Sequence, residues 1–436
     1  MLANNWKQNL HLEPTKGWLN DPNGLAYFKG KYHIFHQYSY EVEGGLKLWY
    51  YYTSSDLKNY EDRGVFLTPT IEEEKSGVYS GSANIEDGKL VFYYTGNVKY
   101  KGDYDYVHEG RGHNTISFET EDGINFTEKK CLLTTDDYPN MSNHVRDPKI
   151  FKKNGKNYLV LGARDSNDYG CLLVFDKDTL KPYKTIYSEK NLGFMWECPD
   201  YFEVDGKEIF MFSPQGITRM YPNYGNMYQI GYSVVEEGIE NVDKLDNFTL
   251  LDYGHDFYAS QTFLDEDDNR VLIGWMYVPD SSYINPTTKF GYQNCLTVPR
   301  IVNYKDGKVR QTLHKSVKDL LGSDIKSNDF NKNTWYYKQE HGDKFEINVA
   351  DFKVSYDNKE LKISFETSGY GRDDRKYKLD LENVEIVFDS SSIELFANDG
   401  SFALSTRFYP ENHNVNISAT DYLAKELGAI EIREEN

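Results

Sequence analysis

The sequence predicts an all-β fold, a five-bladed β-propeller followed by a C-terminal β-sandwich. Short runs rich in Tyr, Phe, Val and Ile alternate with Asp-Gly and Asn-Gly turns, which is the pattern of strands joined by hairpins. One turn-and-strand pattern recurs five times within about the first 300 residues. The last hundred or so residues alternate polar and apolar positions without that repeat, which indicates a separate sandwich domain.

The repeat is a tight turn followed by an apolar strand. Its five copies begin at Gly30, Gly88, Gly155, Gly206 and Asn269. Successive copies lie about 60 residues apart, which leaves room for four strands and long loops in each unit. Five units predict a five-bladed propeller over residues 1–311. A set of unrelated hairpins is the alternative, because Gly-Lys turns are common.

Residues 312–329 are predicted to connect the two domains through a short helix. Apolar residues recur at helical spacing between Thr312 and Leu321, and Gly322 is a suitable helix C-cap. The polar residues that follow are typical of a linker. Residues 330–436 are predicted to form the β-sandwich.

Composition excludes several classes of protein. The 436 residues include 69 acidic and 49 basic side chains, and the net charge of −20 disfavours binding to nucleic acid or to membrane surfaces. A mean hydropathy of −0.71 and the lack of a long apolar run argue against a transmembrane helix. The four cysteines form no CxxC pair, and the first residues show no secretory pattern, so we expect a cytoplasmic protein. The oligomeric state stays open.

Polar residues occur at nearly one phase of the repeat. Asp21, Ser80, Asp147 and Glu197 each stand eight or nine residues before a repeat turn. If each turn joins the first two strands of a blade, these residues occupy equivalent positions on the innermost strands. Innermost strands surround the propeller axis, so the three carboxyl groups are expected to converge on one pocket.

Each of the three acids lies close before a proline, which restricts the backbone and removes a donor. A surface turn is the ordinary interpretation of any single Asp-Pro. That interpretation does not readily explain three such acids at one phase of the repeat. We expect Arg146 to keep Asp147 ionised, and the setting of Glu197 between Trp196 and Cys198 to favour the protonated acid. One ionised and one protonated acid is the glycosidase arrangement, which needs no metal or organic cofactor.

Three motifs carry a resemblance to a known family. Trp18-Leu-Asn-Asp-Pro-Asn-Gly24, Arg146-Asp-Pro148 and Glu197-Cys-Pro-Asp200 resemble the hallmark motifs of glycoside hydrolase family 32, which includes invertases, fructan hydrolases and sucrose-6-phosphate hydrolases. Further matches are Tyr79–Ala83, Asp256–Ala259, Gly274–Met276, Leu296–Arg300, Ile393–Phe396 and Ser405–Pro410. The resemblance spans nearly the whole chain, and it implies the propeller-and-sandwich fold that the repeat predicts.

The resemblance implies a role for each acid. Asp21 would be the nucleophile, Glu197 the general acid and later base, and Asp147 the group that binds fructose hydroxyls and stabilises the transition state. Hydrolysis would proceed with retention, which places the Asp21 and Glu197 carboxyl groups about 5–5.5 Å apart. The implied substrate-binding residues are Trp18, Leu19, Asn20, Gln37, Trp49, Tyr79, Ser80, Arg146, Tyr258 and Trp275.

The segment from Tyr40 to Tyr51 departs from the family pattern. Tyr40 stands where Pro is common, and Gly44–Lys47 replaces a Trp-Gly-Pro stretch, so the leaving-group side of the pocket is expected to differ. Lys47 and Arg219 are candidate contacts for the anion of a phosphorylated substrate, although each alone also fits a solvated surface charge.

The leading functional hypothesis is a cytoplasmic β-fructofuranosidase acting on sucrose or sucrose 6-phosphate, a small-molecule sugar. A fructan or fructo-oligosaccharide hydrolase is the enzymatic alternative. A non-catalytic carbohydrate-binding propeller is the other, and it would be expected to lack one of the three acids or Arg146. The segment His108–Asn114 matches no common zinc signature and is predicted to shape the pocket rim.

Overall fold

A computed structural model describes residues 4–220, 223–326, 330 and 333–434. Strands dominate, in agreement with the predicted all-β class, and the described residues contain one α-helix and three 3₁₀ helices. The helices are α1 (Lys315–Lys318) and the 3₁₀ turns Glu72–Glu74, Thr135–Asp137 and Pro286–Phe290. No helix in these ranges is long and apolar enough to cross a membrane.

Five antiparallel blades form the propeller. Blade 1 comprises β1 (Gly17–Phe28), β2 (Lys31–Ser39), β3 (Leu48–Ser54) and β4 (Asn59–Leu67). Blade 2 comprises β5 (Val78–Glu86), β6 (Lys89–Lys99), β7 (Arg111–Thr120) and β8 (Lys130–Leu133). Blade 3 comprises β9 (Met141–Lys153), β10 (Lys156–Asp165), β11 (Gly170–Asp176) and β12 (Lys181–Ser188).

Blades 4 and 5 complete the ring. Blade 4 comprises β13 (Met195–Val204), β14 (Lys207–Gln215), β15 (Gly231–Val235) and β17 (Thr249–Leu250), while β16 (Lys244–Leu245) pairs with β12 of blade 3. Blade 5 comprises β18 (Tyr258–Leu264), β19 (Arg270–Trp275), β21 (Arg300–Lys305) and β22 (Lys308–Leu313), while β20 (Tyr292–Gln293) pairs with β1. The innermost strands β1, β5, β9, β13 and β18 contact one another in sequence around the axis.

The repeat turns join the first two strands of each blade, as predicted. In the first blade Lys29 and Gly30 have φ of 51° and 78°, and Asp87 and Gly88 repeat this with 48° and 79°. Two successive residues with positive φ are the requirement of the tight turn that matches strand twist. Glycine at the second position therefore explains the recurring Gly-Lys pattern.

The C-terminal domain is a sandwich of two sheets with strand orders β23-β33-β24-β29-β30-β31 and β28-β27-β26-β25-β32. Its strands are β23 (Leu321–Asp324), β24 (Trp335–Gln339), β25 (Phe345–Val349), β26 (Phe352–Asp357), β27 (Glu360–Ser364), β28 (Arg375–Lys378), β29 (Val384–Asp389), β30 (Ser392–Ala397), β31 (Phe402–Arg407), β32 (Val415–Ala419) and β33 (Tyr422–Leu427). The final strand, β34 (Glu431–Glu434), returns to pair in parallel with β4 of the propeller.

The predicted helix over Thr312–Leu321 is wrong in extent. Only Lys315–Lys318 are helical, because Leu313 still pairs with Arg300 in blade 5 and Leu321 pairs with Leu427 in the sandwich. The apolar spacing arises from burial at the junction of the two domains rather than from a long helix. Gly322 lies in β23 and caps no helix, and residues 327–329 of the predicted linker lie outside the described residues.

Buried charges join the two domains. Both ring nitrogens of His11 lie 2.8 Å from carboxylate oxygens, Nδ1 from Asp389 and Nε2 from Glu394. Arg300 in blade 5 also donates to Glu394, so one sandwich carboxylate binds two propeller cations. Burial lowers the pKa of His11, but the hydrogen bonds to Asp389 and Glu394 outweigh burial and raise the pKa to about 9.

Candidate active site

Each of the five innermost strands has a β-bulge at a corresponding place in its ladder to the second strand. In every case two residues of the inner strand oppose one residue of its partner. The last paired residues before the bulges are Leu19, Val78, Arg146, Glu197 and Tyr258. Such bulges redirect side chains, and here they do so at one level around the axis.

The register refines the predicted equivalence of the three acids. Glu197 is the last paired residue before the bulge of its strand, Asp147 is the first of the two bulged residues in its strand, and Asp21 is the second in its own. The acids therefore converge, but from three successive positions instead of one. Asp147 and Cys198 reach this geometry with φ of 63° and 47°, left-handed values that non-glycine residues rarely adopt.

Donors surround the Asp21 carboxyl group. Ser80 donates to Oδ2 from the next blade, Asn20 donates to Oδ1 at 3.1 Å, and the Cys198 thiol lies 3.7 Å from Oδ2. Burial raises the pKa of Asp21, the Ser80 hydrogen bond opposes this effect, and the charge of Glu197 adds to it. The site thus fixes the position of this carboxyl group through three blades.

Glu197 is bound at both oxygens. Arg146 donates to Oε1 from Nε at 2.9 Å and from Nη2 at 2.8 Å, while Oε2 accepts from Gln215 at 2.6 Å and from the Tyr258 hydroxyl at 2.8 Å. This environment is polar, so the expected dry setting beside Trp196 is wrong. The Trp196 ring points away into the core of blades 3 and 4.

Asp147 differs from its prediction as well. Its Oδ2 accepts from the backbone N–H of Cys198 at 2.8 Å, and its own N–H donates to Thr95 at 2.9 Å. Burial raises the pKa of Asp147 to about 7, Arg146 lowers it only in part, and the charges of Glu197 and Asp21 raise it further. Arg146 does favour the ionised form of Asp147, as expected, but burial outweighs its effect.

Aromatic rings line one side of the carboxyl cluster. Trp18 meets Trp275 edge to face with ring centroids 5.9 Å apart, and Tyr258 lies 6.4 Å from Trp275. The Trp18 indole N–H donates to Asn20 at 2.8 Å, and Asn20 donates in turn to Gln37. Aromatic faces beside amide and carboxyl groups suit a sugar, which presents both C–H and hydroxyl surfaces.

Two residues predicted to bind substrate support the pocket from behind. Leu19 and Trp49 are each 0% exposed, so neither side chain is accessible to a ligand in the pocket. Leu19 packs in the core between blades 1 and 5, and the Trp49 indole N–H donates to the Tyr79 carbonyl at 3.0 Å. Tyr79 itself is partly exposed and packs against His113, 5.6 Å between ring centroids.

The two predicted anion contacts differ. The Lys47 ammonium lies 4.9 Å from the centre of the Trp18 ring; burial lowers its pKa to about 8, against the attraction of Asp21. Gly44 has a left-handed φ of 83°, which favours glycine, and a Cβ at this position would lie only 3.2 Å from Lys47 Nζ. Arg219 instead forms an ion pair with Asp373 of the sandwich at 3.0 Å.

Some functional neighbours carried no clear sequence signal. Gln215 is a polar residue at the end of an apolar strand, and His144 lies two residues before Arg146, whose Nη1 it contacts at 2.8 Å. Arg111 and His113 belong to the segment predicted to shape the rim, and they do contact His144. His108 of that segment instead faces Asp168 at 3.6 Å.

A propeller that gathers three carboxyl groups, an arginine and aromatic rings at its axis offers the paired carboxyl groups that glycosidases use. Two family models cover this chain: the glycosyl hydrolases family 32 N-terminal domain matches residues 11–314, and the family 32 C-terminal domain matches residues 325–432. The chain therefore belongs to glycoside hydrolase family 32 and is an enzyme of the β-fructofuranosidase type.

Curated relatives and solved structures agree with this assignment. The chain is 31% identical to a sucrose-6-phosphate hydrolase of Staphylococcus xylosus, over 95% of this chain and 90% of that protein, and 32% identical to a raffinose invertase of Escherichia coli, over 94% and 90%. The structure of sucrose-6-phosphate hydrolase from Lactobacillus gasseri superposes with a TM-score of 0.86 at 28% identity, covering 98% and 94% of the two chains. A Bombyx mori β-fructofuranosidase variant in complex with sucrose gives 0.81 at 27% identity, covering 99% and 96%.

Proposed function

We propose that this enzyme is a cytoplasmic, retaining β-fructofuranosidase that removes the fructosyl unit of sucrose 6-phosphate, with sucrose as a second substrate. One observation carries the proposal: Glu197 and Asp21 face the same axis with different partners. Glu197 is bound by Arg146, Gln215 and Tyr258, and Asp21 by the hydroxyl of Ser80 and the amide of Asn20. These partners distinguish the two carboxyl groups, and the roles given to them here, Asp21 as nucleophile and Glu197 as acid, follow the family motifs in which they lie.

In the first half of the reaction, Asp21 attacks the anomeric carbon of the fructosyl unit. Glu197 gives its proton to the glycosidic oxygen as the bond to the glucosyl group breaks, and a covalent fructosyl-Asp21 ester forms. In the second half, Glu197 takes a proton from water, the resulting hydroxide attacks the anomeric carbon, and the Asp21 carboxylate leaves. Two displacements at one carbon give net retention.

Asp147 supports both steps. With a pKa of about 7, it can donate a hydrogen bond from its protonated form to a fructose hydroxyl near neutral pH. Its protonation also removes one negative charge beside Asp21 and Glu197. Trp18 and Trp275 would pack against the sugar ring from the side.

Three observations support the substrate and the compartment. Curated relatives from several bacteria at about 31% identity are named sucrose-6-phosphate hydrolases. The Lys47 ammonium borders the pocket and would favour an anionic substrate. All four cysteines are unpaired, as is usual in a reducing compartment.

Rates on sucrose 6-phosphate, sucrose and a short inulin, measured side by side, test the proposal. We expect kcat/KM to be highest for sucrose 6-phosphate and lowest for inulin. A preference for inulin would favour the fructan-hydrolase alternative instead. Retention is tested separately by NMR, where β-fructofuranose must be the first anomer released.

A further inference from the structure

We propose that Arg111, together with Lys99 on the neighbouring strand, forms a phosphate-binding subsite that lies beyond the general acid Glu197, separated from it by Arg146 and His144. The ligand would be the phosphate monoester of the leaving group. This inference rests on the proposed function, because it needs a fructoside whose leaving group is phosphorylated.

Arg111 and Lys99 are two cations that oppose each other directly. Arg111 begins β7 and pairs in register with Lys99, the last residue of β6. Like charges opposite each other on paired strands are unfavourable. Neither side chain belongs to an ion pair within the described part of the chain, although Glu72, Glu73 and Asp136 line the same groove as Arg111 and the Lys99 ammonium lies 6.0 Å from the centre of the Tyr106 ring. In a protein with a net charge of −20, two adjacent cations without an acidic partner indicate a site for an external anion.

The Nε of the Arg111 guanidinium also has no acceptor next to it among the described residues, although it is buried. The Nη1 of Arg111 lies 3.5 Å from Nε2 of His144. His144 accepts from Arg146 through Nδ1 at 2.8 Å, so a neutral His144 ring carries its proton on Nε2. This Nε2–H group cannot accept a hydrogen bond from Arg111. Burial first, then Arg146 and Arg111, lowers the pKa of His144 to about 2, so this ring stays neutral.

A short chain of contacts connects Arg111 to the reacting atoms. Glu197 binds Arg146, Arg146 binds His144, and His144 contacts Arg111. Glu197 gives its proton to the leaving group, so the leaving group departs on this side of the pocket. The phosphate of a hexose 6-phosphate is several bonds from the glycosidic oxygen, which is compatible with a cation that Arg146 and His144 separate from Glu197.

The other basic candidates fit less well. Arg219 is neutralised by Asp373. Lys47 lies over Trp18 and interacts with Asp21, on the nucleophile side of the pocket. A guanidinium can bind a phosphate through two parallel N–H groups, which an ammonium cannot do. Arg111 is therefore the main contact and Lys99 a supporting charge.

The test compares kcat/KM for sucrose 6-phosphate with kcat/KM for sucrose in four variants. Arg111→Gln is expected to lower this ratio about tenfold or more, mainly through KM for the phosphorylated substrate. Arg111→Lys is expected to lower the ratio less than Arg111→Gln does, because the positive charge remains. Lys99→Gln changes an exposed side chain and does not threaten folding, and it is also expected to lower the ratio less than Arg111→Gln does. Arg219→Gln is the matched control and is expected to keep the wild-type ratio.

Inorganic phosphate supplies a second readout. It is expected to inhibit sucrose hydrolysis competitively and to raise the Tm of the wild-type protein, and both effects weaken in Arg111→Gln. Without phosphate, removing an unpaired cation beside Arg146 leaves Tm equal or higher, whereas a structural role for Arg111 would lower it.

Several outcomes overturn the subsite. An unchanged ratio in Arg111→Gln, or equal losses on both substrates, contradicts it. A wild-type enzyme that hydrolyses sucrose without favouring sucrose 6-phosphate also contradicts it and leaves the fructosidase activity intact. If the wild-type enzyme cleaves neither fructoside, the proposed function itself fails.

Discussion

The Arg146 guanidinium donates two hydrogen bonds to one oxygen of Glu197, at 2.9 and 2.8 Å, although its neighbour in the chain is Asp147. The contact crosses from blade 3 to blade 4. Burial raises the pKa of Asp147, and Arg146 opposes that shift only in part. The second oxygen of Glu197 accepts from Gln215 and Tyr258. The roles proposed for the carboxyl groups depend on this pairing.

Glu197→Gln is expected to lower kcat on sucrose by about 10²- to 10⁴-fold, because the leaving oxygen then lacks its proton donor. The loss should be much smaller on an aryl fructoside, whose leaving group needs little protonation. Steady-state kinetics on both substrates check this, with Gln215→Ala as a milder comparison that keeps the acid. Equal losses on the two substrates would count against Glu197 as the general acid.

Asp21→Asn is expected to abolish the covalent fructosyl-enzyme, because the amide is a poor nucleophile. Mass spectrometry of acid-quenched enzyme with an activated fructoside should show the added fructosyl mass in the wild type and none in the variant. Ser80→Ala keeps the carboxyl group and should still form the adduct, more slowly. Detecting the adduct in Asp21→Asn would show that another residue attacks the sugar.

One aspartate is expected to titrate near pH 7, with its carboxyl group protonated below that pH. Carboxyl-carbon NMR of aspartate-labelled protein should show this signal, and Asp147→Asn should remove it. Because Arg146 opposes the upward shift, Arg146→Gln should move the transition to higher pH. If every aspartate signal titrates below about pH 5, the protonated state proposed for Asp147 is wrong.

His11 is expected to make stability depend on pH between about 6.5 and 9. A pKa of about 9 in the folded state lies above the ordinary value of 6.5, so the stabilisation is complete below pH 6.5 and is lost as pH rises through 9. The contribution is on the order of 3 kcal/mol.

Urea unfolding of the wild type and of His11→Asn across this pH range checks the prediction. The difference in free energy of unfolding between the two proteins should shrink as pH rises. A Lys315→Gln variant, with its exposed side chain, is the control and should follow the wild type. A difference that is constant from pH 6 to 9.5 would contradict the ionised state of His11.

Much of the fold follows from local chemistry. The repeat turns were predictable because two successive positive φ values favour Gly at the second position, as at Gly30 and Gly88. The convergence of Asp21, Asp147 and Glu197 follows from their phase relative to those turns. The extent of the helix over Thr312–Leu321 was not predictable, because the residues at its ends pair with distant strands, as Leu321 does with Leu427.

By itself the sequence determined the class of fold, the five repeats and the three acids, since turns and strand alternation are encoded by neighbouring residues. Only the tertiary structure decided which partner each acid receives. A β-bulge shifts the register by one residue, and whether Arg146 meets Asp147 or Glu197 depends on the adjacent blade. Likewise, Arg111 has no distinctive sequence context and becomes a candidate phosphate contact only because the fold places it opposite Lys99 and next to His144.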